Sequence, residues 1–228
     1  MPYSIALFDA DNTLLDFSRS EHDALSECLL ARGITPTEQI ISRYAEINDL
    51  HWKLLERGLT TRARLRAERF SDLFGELGLD IDPDKMADDY LVALSAKSYC
   101  MEGAEALIER LAGRCRMFII TNGNASVQNA RWSKTAMAPH FEGVFISENM
   151  GCAKPDKLFF DRVAAAVPNF DPRRALVIGD SLSSDIQGGI NAGIDTCWFD
   201  RRGVGAPENL KITYTVRSLD EVGHILLS

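Results

Sequence analysis

Two aspartates, Asp9 and Asp11, stand two residues apart in Asp9-Ala10-Asp11-Asn12-Thr13, directly behind the apolar run Ile5-Ala6-Leu7-Phe8. A run that short cannot be a helix and reads as a buried strand. The strand therefore delivers two carboxylates at its C-terminal end, and a loop bending between them can aim both at one point. Like charges held that close are unfavourable unless a cation or a proton lies between them. The pattern suits a metal-dependent site in which one carboxylate attacks and the other handles protons. The plainer reading is a polar turn after a strand, so partners are needed from elsewhere in the chain.

Three further apolar runs end in polar residues of distinct kinds. Met117-Phe118-Ile119-Ile120 leads into Thr121-Asn122-Gly123, where a hydroxyl and turn amides can hold phosphate oxygens at a helix start. Val144-Phe145-Ile146 precedes Gly151-Cys152-Ala153-Lys154-Pro155, which offers Lys154 as a point positive charge for a phosphate or for Asp9. Ala175-Leu176-Val177-Ile178 leads into Gly179-Asp180-Ser181, with Asp185 after it. Asp180 would complete an all-oxygen site for a hard cation such as Mg²⁺. Taken singly, each has an ordinary explanation in caps and turns. Their joint occurrence, in order and behind successive strands, does not.

The elements that must position these residues follow from the pattern. Buried apolar runs, including Thr196-Cys197-Trp198-Phe199, alternate with helix-like segments near Ala125–Ala136, Pro155–Val167 and Ser184–Ala192. That alternation indicates βαβ units and a parallel sheet, hence an α/β, doubly wound core over 1–15 and 100–228. Ligands in such folds bind beyond the C-terminal ends of the strands. Residues 16–99 carry helix starts instead: Ser18-Arg19-Ser20-Glu21, Thr35-Pro36-Thr37-Glu38 and Asp82-Pro83, with Gly33, Gly58 and Gly78 at expected helix ends. Ala63, Ala67, Phe70, Phe74 and Leu77 form an apolar stripe at helical spacing. The expectation is an inserted α-helical bundle of about four helices, placed to act as a lid or cap. Arg62, Arg66 and Arg69 are expected on a solvated face, and Trp52 in the bundle core.

Composition limits the function. The 228-residue chain is 46% hydrophobic and 25% charged, ordinary for a globular protein. Its net charge of −8 argues against a nucleic-acid polymer as partner but allows a small phosphate ester, since a metal and a few basic residues reverse the field locally. No apolar stretch has membrane-spanning length. Without a basic segment and apolar h-region at the start, a cytoplasmic location is expected. Five scattered cysteines lack C-x-x-C spacing and fit buried or incidental thiols in a reducing compartment.

Asp9-x-Asp11-x-Thr13, Thr121, Lys154-Pro155 and Gly179-Asp180 with Asp185 together resemble the four-motif signature of the haloacid dehalogenase-like hydrolase superfamily. The resemblance implies a Rossmann-like core of strand order 5-4-1-2-3 with a cap between the first and second motifs. It implies Asp9 as nucleophile, Asp11 as acid/base, and Mg²⁺ held by Asp9, Asp180 and the main-chain carbonyl of Asp11. Thr121, Asn122 and Lys154 would hold the phosphoryl oxygens, and Asp185 would orient a metal-bound water or Lys154. Asp11 argues against a dehalogenase, whose family lacks a second aspartate there. The blocks Phe8–Leu14, Ile119–Gly123, Ile146-Ser147-Glu148 and Gly188–Gly193, with Trp52, Glu56 and Gly58, are similar to those of the pyrimidine 5′-nucleotidases. The implied substrate is a nucleoside monophosphate. A β-phosphoglucomutase-like mutase, a sugar-phosphate phosphatase and a non-catalytic phospho-acceptor module are the alternatives.

Overall fold

A computed structural model describes residues 2–228. The chain forms two compact units, one built from residues up to Asp16 together with Ser98–Ser228, the other from Phe17–Lys97.

The larger unit is a parallel sheet of β1 (Ile5–Phe8), β2 (Arg116–Thr121), β3 (Gly143–Ile146), β4 (Ala175–Gly179), β5 (Asp195–Phe199) and β6 (Tyr214–Val216), in the order β3-β2-β1-β4-β5-β6. This contains the expected 5-4-1-2-3 order and adds β6 beyond β5. Side chains of a strand alternate between faces, and the sheet uses both. Ala6, Phe8, Met117, Ile119, Leu176 and Ile178 enter one core, with Leu107, Ile108, Leu219, Val222 and Leu226 packed over them. Ile5, Leu7, Phe118, Ile120, Ala175 and Val177 enter the other, beneath Phe159, Phe160 and Val163. Being buried on both faces explains why β1, β2 and β4 read as continuous apolar runs. Edge strand β3 is only half-buried over its first three residues, because among the described residues no strand pairs with its outer side.

The smaller unit consists of four helices: α1 (Phe17–Leu30), α2 (Glu38–Glu56), α3 (Arg62–Leu77) and α4 (Pro83–Ser95). Asp82 caps α4 through its side chain to the Asp84 and Lys85 amides, with Pro83 in the first turn. Gly78 closes α3 at φ 64°, a left-handed conformation that glycine adopts without strain. Two helix starts differ from the sequence reading. The first helix begins at Phe17, which puts Ser18 inside its first turn rather than at the cap. The second is capped by Thr37, which accepts from the Ile40 amide, so Thr35-Pro36 lies outside it.

The apolar stripe of α3 is also shifted. Leu65, Arg69, Phe70, Leu73 and Phe74 are buried, whereas Ala63 is exposed and Leu77 sits at the surface. Arg69 is therefore a core residue, contrary to the solvated face expected for it. Its guanidinium lies 5.1 Å from the Phe70 ring and 5.0 Å from the Tyr90 ring and donates to Asn48 Oδ1 at 2.7 Å. Asn48 in turn donates to Glu21 at 2.8 Å. The Asn48 amide and the ring faces offset part of the cost of burying this charge, while Arg69 Nε is buried with no hydrogen-bond partner among the described residues. Trp52 is half-buried rather than central, with Arg62 5.8 Å from its ring.

In the larger unit the remaining helices are α5 (Ala104–Leu111), α6 (Ala125–Trp132), α7 (Ser147–Met150), α8 (Lys157–Ala166), α9 (Gln187–Ala192) and α10 (Leu219–Leu227). Helix α8 starts at Lys157 with Asp156 as its cap, two residues after the Pro155 start expected from sequence. A π turn over Leu182–Ile186 precedes α9. Among the described residues, no helix is long and apolar enough to cross a membrane.

Candidate active site

Strand order reverses direction about β1, which pairs with β2 on one side and β4 on the other. The C-terminal ends of β1 and β4 therefore flank a topological switch point, where open α/β sheets leave a crevice. Asp9 follows β1 and Asp180 follows β4. The turn after β1 folds back tightly, with the Leu14 and Leu15 amides on the Ala10 carbonyl at 3.0 and 2.8 Å. Asn12 takes φ 59° within it, a conformation that asparagine tolerates better than most residues.

Lys154 is the hub of the site. It is 1% exposed, and its Nζ donates to Asp9 Oδ1 at 2.8 Å, Asp185 Oδ1 at 2.5 Å and the Ile120 carbonyl at 2.8 Å. Burial works against its charge, but Asp185 and Asp9 outweigh that and hold its pKa above the ordinary lysine value. Asn122 fixes the Lys154 backbone: its Nδ2 donates to the Lys154 carbonyl at 2.8 Å and its Oδ1 accepts from the Lys154 amide at 3.0 Å. The Lys154–Pro155 bond is cis.

The carboxylates have different surroundings. Asp9 is buried, its Oδ2 accepting from Thr13 Oγ1 at 3.2 Å. Burial, with Asp185, Asp180 and Asp11 adding repulsion against the pull of Lys154, raises its pKa well above the ordinary carboxylate value. Asp180 is pushed up to about 7, first by burial and then by Asp185, and its carbonyl accepts from Trp198 Nε1 at 2.9 Å. Asp185 Oδ2 accepts from the Ser181 amide at 3.1 Å. Its carboxylate packs so closely on Gly179 that a Cβ there would lie 2.2 Å from Oδ2. A glycine at the end of β4 is thus required by the carboxylate beside it.

Asp9, Asp180 and Asp185 each present an oxygen within 4.8 Å of the others. This hard, all-oxygen donor set fits Mg²⁺. The charge balance agrees. With all four carboxylates (Asp9, Asp11, Asp180, Asp185) ionised against two buried cations (Lys154, Arg131), two negative charges are left, which one divalent ion offsets in place of the protons that the raised pKa values of Asp9 and Asp180 otherwise keep. The Asp11 side chain is not part of that trio. It accepts from Arg131 Nη1 at 2.5 Å and Gln128 Nε2 at 2.7 Å. Thr121 Oγ1 accepts from the same Gln128 Nε2 at 2.7 Å and from the Gly123 amide at 3.1 Å.

Gln128 and Arg131 belong to none of the strand-end motifs, and polar residues inside a helix usually face water. The signal that marks them is positional. They share the buried face of α6 with Val127 and Trp132, at spacings of three and four residues. The four-residue spacing that links Val127 to Arg131 and Gln128 to Trp132 is that of a core-facing stripe.

The fold and this cluster of strand-end carboxylates around a lysine define a Rossmann-like hydrolase. The family model for haloacid dehalogenase-like hydrolases matches residues 3–193, and the chain belongs to that family of enzymes. The pyrimidine 5′-nucleotidase PynA of Streptococcus pneumoniae is 35% identical over 97% of this chain and 94% of its own. The pyrimidine 5′-nucleotidase YjjG of Escherichia coli is 33% identical, covering 99% of both chains. The crystal structure of the putative hydrolase YfnB from Bacillus subtilis, bound to magnesium, superposes with a TM-score of 0.94 at 35% identity over 99% of each chain.

Proposed function

We propose that the protein is a Mg²⁺-dependent phosphatase of small phosphate monoesters, and specifically a 5′-nucleotidase of pyrimidine nucleoside monophosphates. The observation that carries the phosphatase reading is the division of labour between two aspartates on one turn: Asp9 against Lys154, Asp11 against Arg131 and Gln128. The narrower substrate rests on the nucleotidases PynA and YjjG, to which the whole chain is similar.

In the proposed reaction Asp9 attacks phosphorus in line, expelling the alcohol and forming an aspartyl-phosphate. Asp11 gives its proton to the departing ester oxygen, then takes one from the water that hydrolyses the acyl phosphate. Lys154 offsets charge on the phosphoryl oxygens and keeps Asp9 oriented. Thr121 and the Asn122 amide bind the same oxygens, while Asp185 holds Lys154 in place. Asp9, Asp180 and the main-chain carbonyl of Asp11 would hold Mg²⁺, with Asp185 beside them. The ion would supply charge stabilisation at the phosphoryl group.

The test is phosphate release across ribo- and deoxyribonucleoside monophosphates and sugar phosphates, with Mg²⁺ and with chelator. Preference for pyrimidine monophosphates, abolished by chelator, is the expected result. A flat or sugar-phosphate profile would overturn the nucleotidase assignment, and isomerisation exceeding phosphate release would identify a mutase. No release from any ester would overturn the phosphatase reading itself.

A further inference from the structure

Gln128 occupies a position where its hydrogen-bonding groups are fully directed. Its Nε2 carries two hydrogens, and the structure gives each an acceptor: Asp11 Oδ2 at 2.7 Å and Thr121 Oγ1 at 2.7 Å. Its Oε1 accepts from Arg131 Nη1 at 3.3 Å. The amide cannot be turned over, because a carboxylate only accepts and a guanidinium only donates. Space fixes it as well. A Cβ on Gly123 would come within 2.6 Å of Gln128 Nε2, so the glycine turn closes directly onto the amide. Arg131, at 0% exposure, has its carbonyl held by Ser98 Oγ at 2.7 Å.

The consequence falls on Thr121. A hydroxyl has two acceptor lone pairs and one hydrogen. Gln128 Nε2 and the Gly123 amide engage both lone pairs. The remaining capacity of the Thr121 hydroxyl is to donate. We infer that Arg131 and Gln128 form a polarity relay: Arg131 orients the Gln128 amide, and Gln128 makes Thr121 an obligate donor toward an anionic phosphoryl oxygen while holding the Asp11 carboxylate of the turn after β1. Both are positioning residues, acting through Thr121 and Asp11 rather than on the substrate. The relay rests on the phosphatase reading above and assigns it two residues outside the four motifs. It explains why a buried arginine and glutamine occupy the core-facing side of α6. Apolar residues there would leave the hydroxyl free to rotate and the carboxylate free to swing.

The test is a double-mutant cycle on inorganic phosphate binding, read by titration calorimetry of the full chain at fixed MgCl₂. Thr121→Val and Gln128→Met should each weaken phosphate about tenfold, the scale of one hydrogen bond to a charged group. The double variant should bind no more than about twofold worse than either single one, since both remove the same bond. Thr121→Ser should bind as the wild type does. Gln128→Met should also lower kcat more than it raises KM for a phosphate ester, because Asp11 loses a donor. Additive losses, or full phosphate affinity in Gln128→Met, would overturn the relay. If the wild type still releases phosphate in that case, the phosphatase reading stands without it. Failure of the wild type to bind phosphate would overturn the relay outright. Thermal midpoints of the five proteins separate a folding defect from a loss of donor: a purely structural role for Gln128 predicts a lowered midpoint with additive binding losses, which also overturns the relay.

Discussion

Asp9 and Asp11 are separated by one alanine, yet different side chains hydrogen-bond to them. Lys154 and Thr13 hold Asp9; Arg131 and Gln128 hold Asp11. That segregation is what separate roles need, and it predicts distinct variants. In Asp11→Asn, kcat should fall roughly 100- to 10,000-fold, the range for a lost general acid and base. Asp9→Asn should form no phosphoenzyme, read by intact mass after a rapid quench with substrate. Full turnover in Asp9→Asn would exclude it as nucleophile. Asp180 makes a second prediction. Its folded pKa, pushed up to about 7 by burial and then by Asp185, exceeds the ordinary value near 3.8 of an unfolded chain. Between roughly pH 4 and 7 the native state therefore keeps a proton that the unfolded state has released, and stability falls as pH rises. Asp9, raised by burial and the same neighbours, acts in the same direction. The metal-free protein should lose thermal stability through that window. Mg²⁺, replacing the protons, should raise the midpoint more at pH 8 than at pH 5. A midpoint in chelator that is flat with pH would count against this account.

Elements set how these groups are held. The end of β4 and the π turn behind it work as one piece, because Gly179 leaves room for the Asp185 carboxylate that grips Lys154. Gly179→Ala would force that carboxylate away. It should destabilise the protein by about 1–3 kcal/mol, as overpacking of a closed site does, and weaken Mg²⁺ binding, both measurable by denaturant titration with and without the ion. In the four-helix unit the corresponding element is α3, whose Arg69 spans from the aromatic rings of Tyr44, Phe70 and Tyr90 to Asn48. Arg69→Met keeps the apolar stem but leaves Asn48 Oδ1 without its donor. A loss of about 1–3 kcal/mol is expected in chemical denaturation. A surface arginine, as the sequence alone suggested, would cost nothing measurable.

At the scale of the whole molecule, the net charge of −8 and the local charge of the site work in opposite directions. Lys154 is enclosed among carboxylates, so its charge acts within the site. A net charge of this sign disfavours binding of a long polyanion. Single-stranded RNA and DNA should produce no mobility shift at physiological salt, while monophosphates in the presence of Mg²⁺ should bind. A shift that weakens steeply with salt would show a polymer-binding face instead. The sheet order places all four strand-end motifs of this unit along the C-terminal ends of its strands, which is what gathers residues as far apart as Asp9 and Asp180 into one cluster.

Much of this was legible in the residues themselves. Strands buried on both faces must be apolar throughout, so β1, β2, β4 and β5 announced themselves, and the polar residues that follow them were conspicuous by contrast. Asp9, Asp11, Thr121, Asn122, Lys154, Asp180 and Asp185 could all be named for that reason. Register in the helical stretch was less legible. A cap shifts by two residues where Thr35 and Thr37 offer the same hydroxyl, and a stripe shifts where a buried arginine takes an apolar position. Tertiary structure alone decided what holds Asp11. Gln128 and Arg131 belong to a helix more than a hundred residues away in sequence, and their separations from Asp11 of 117 and 120 residues leave no local trace. The chain determines the chemistry it offers at each strand end through local pattern, which is short-ranged. Which donor meets which carboxylate is set by packing, and packing exists only once the sheet has brought β1 beside β2.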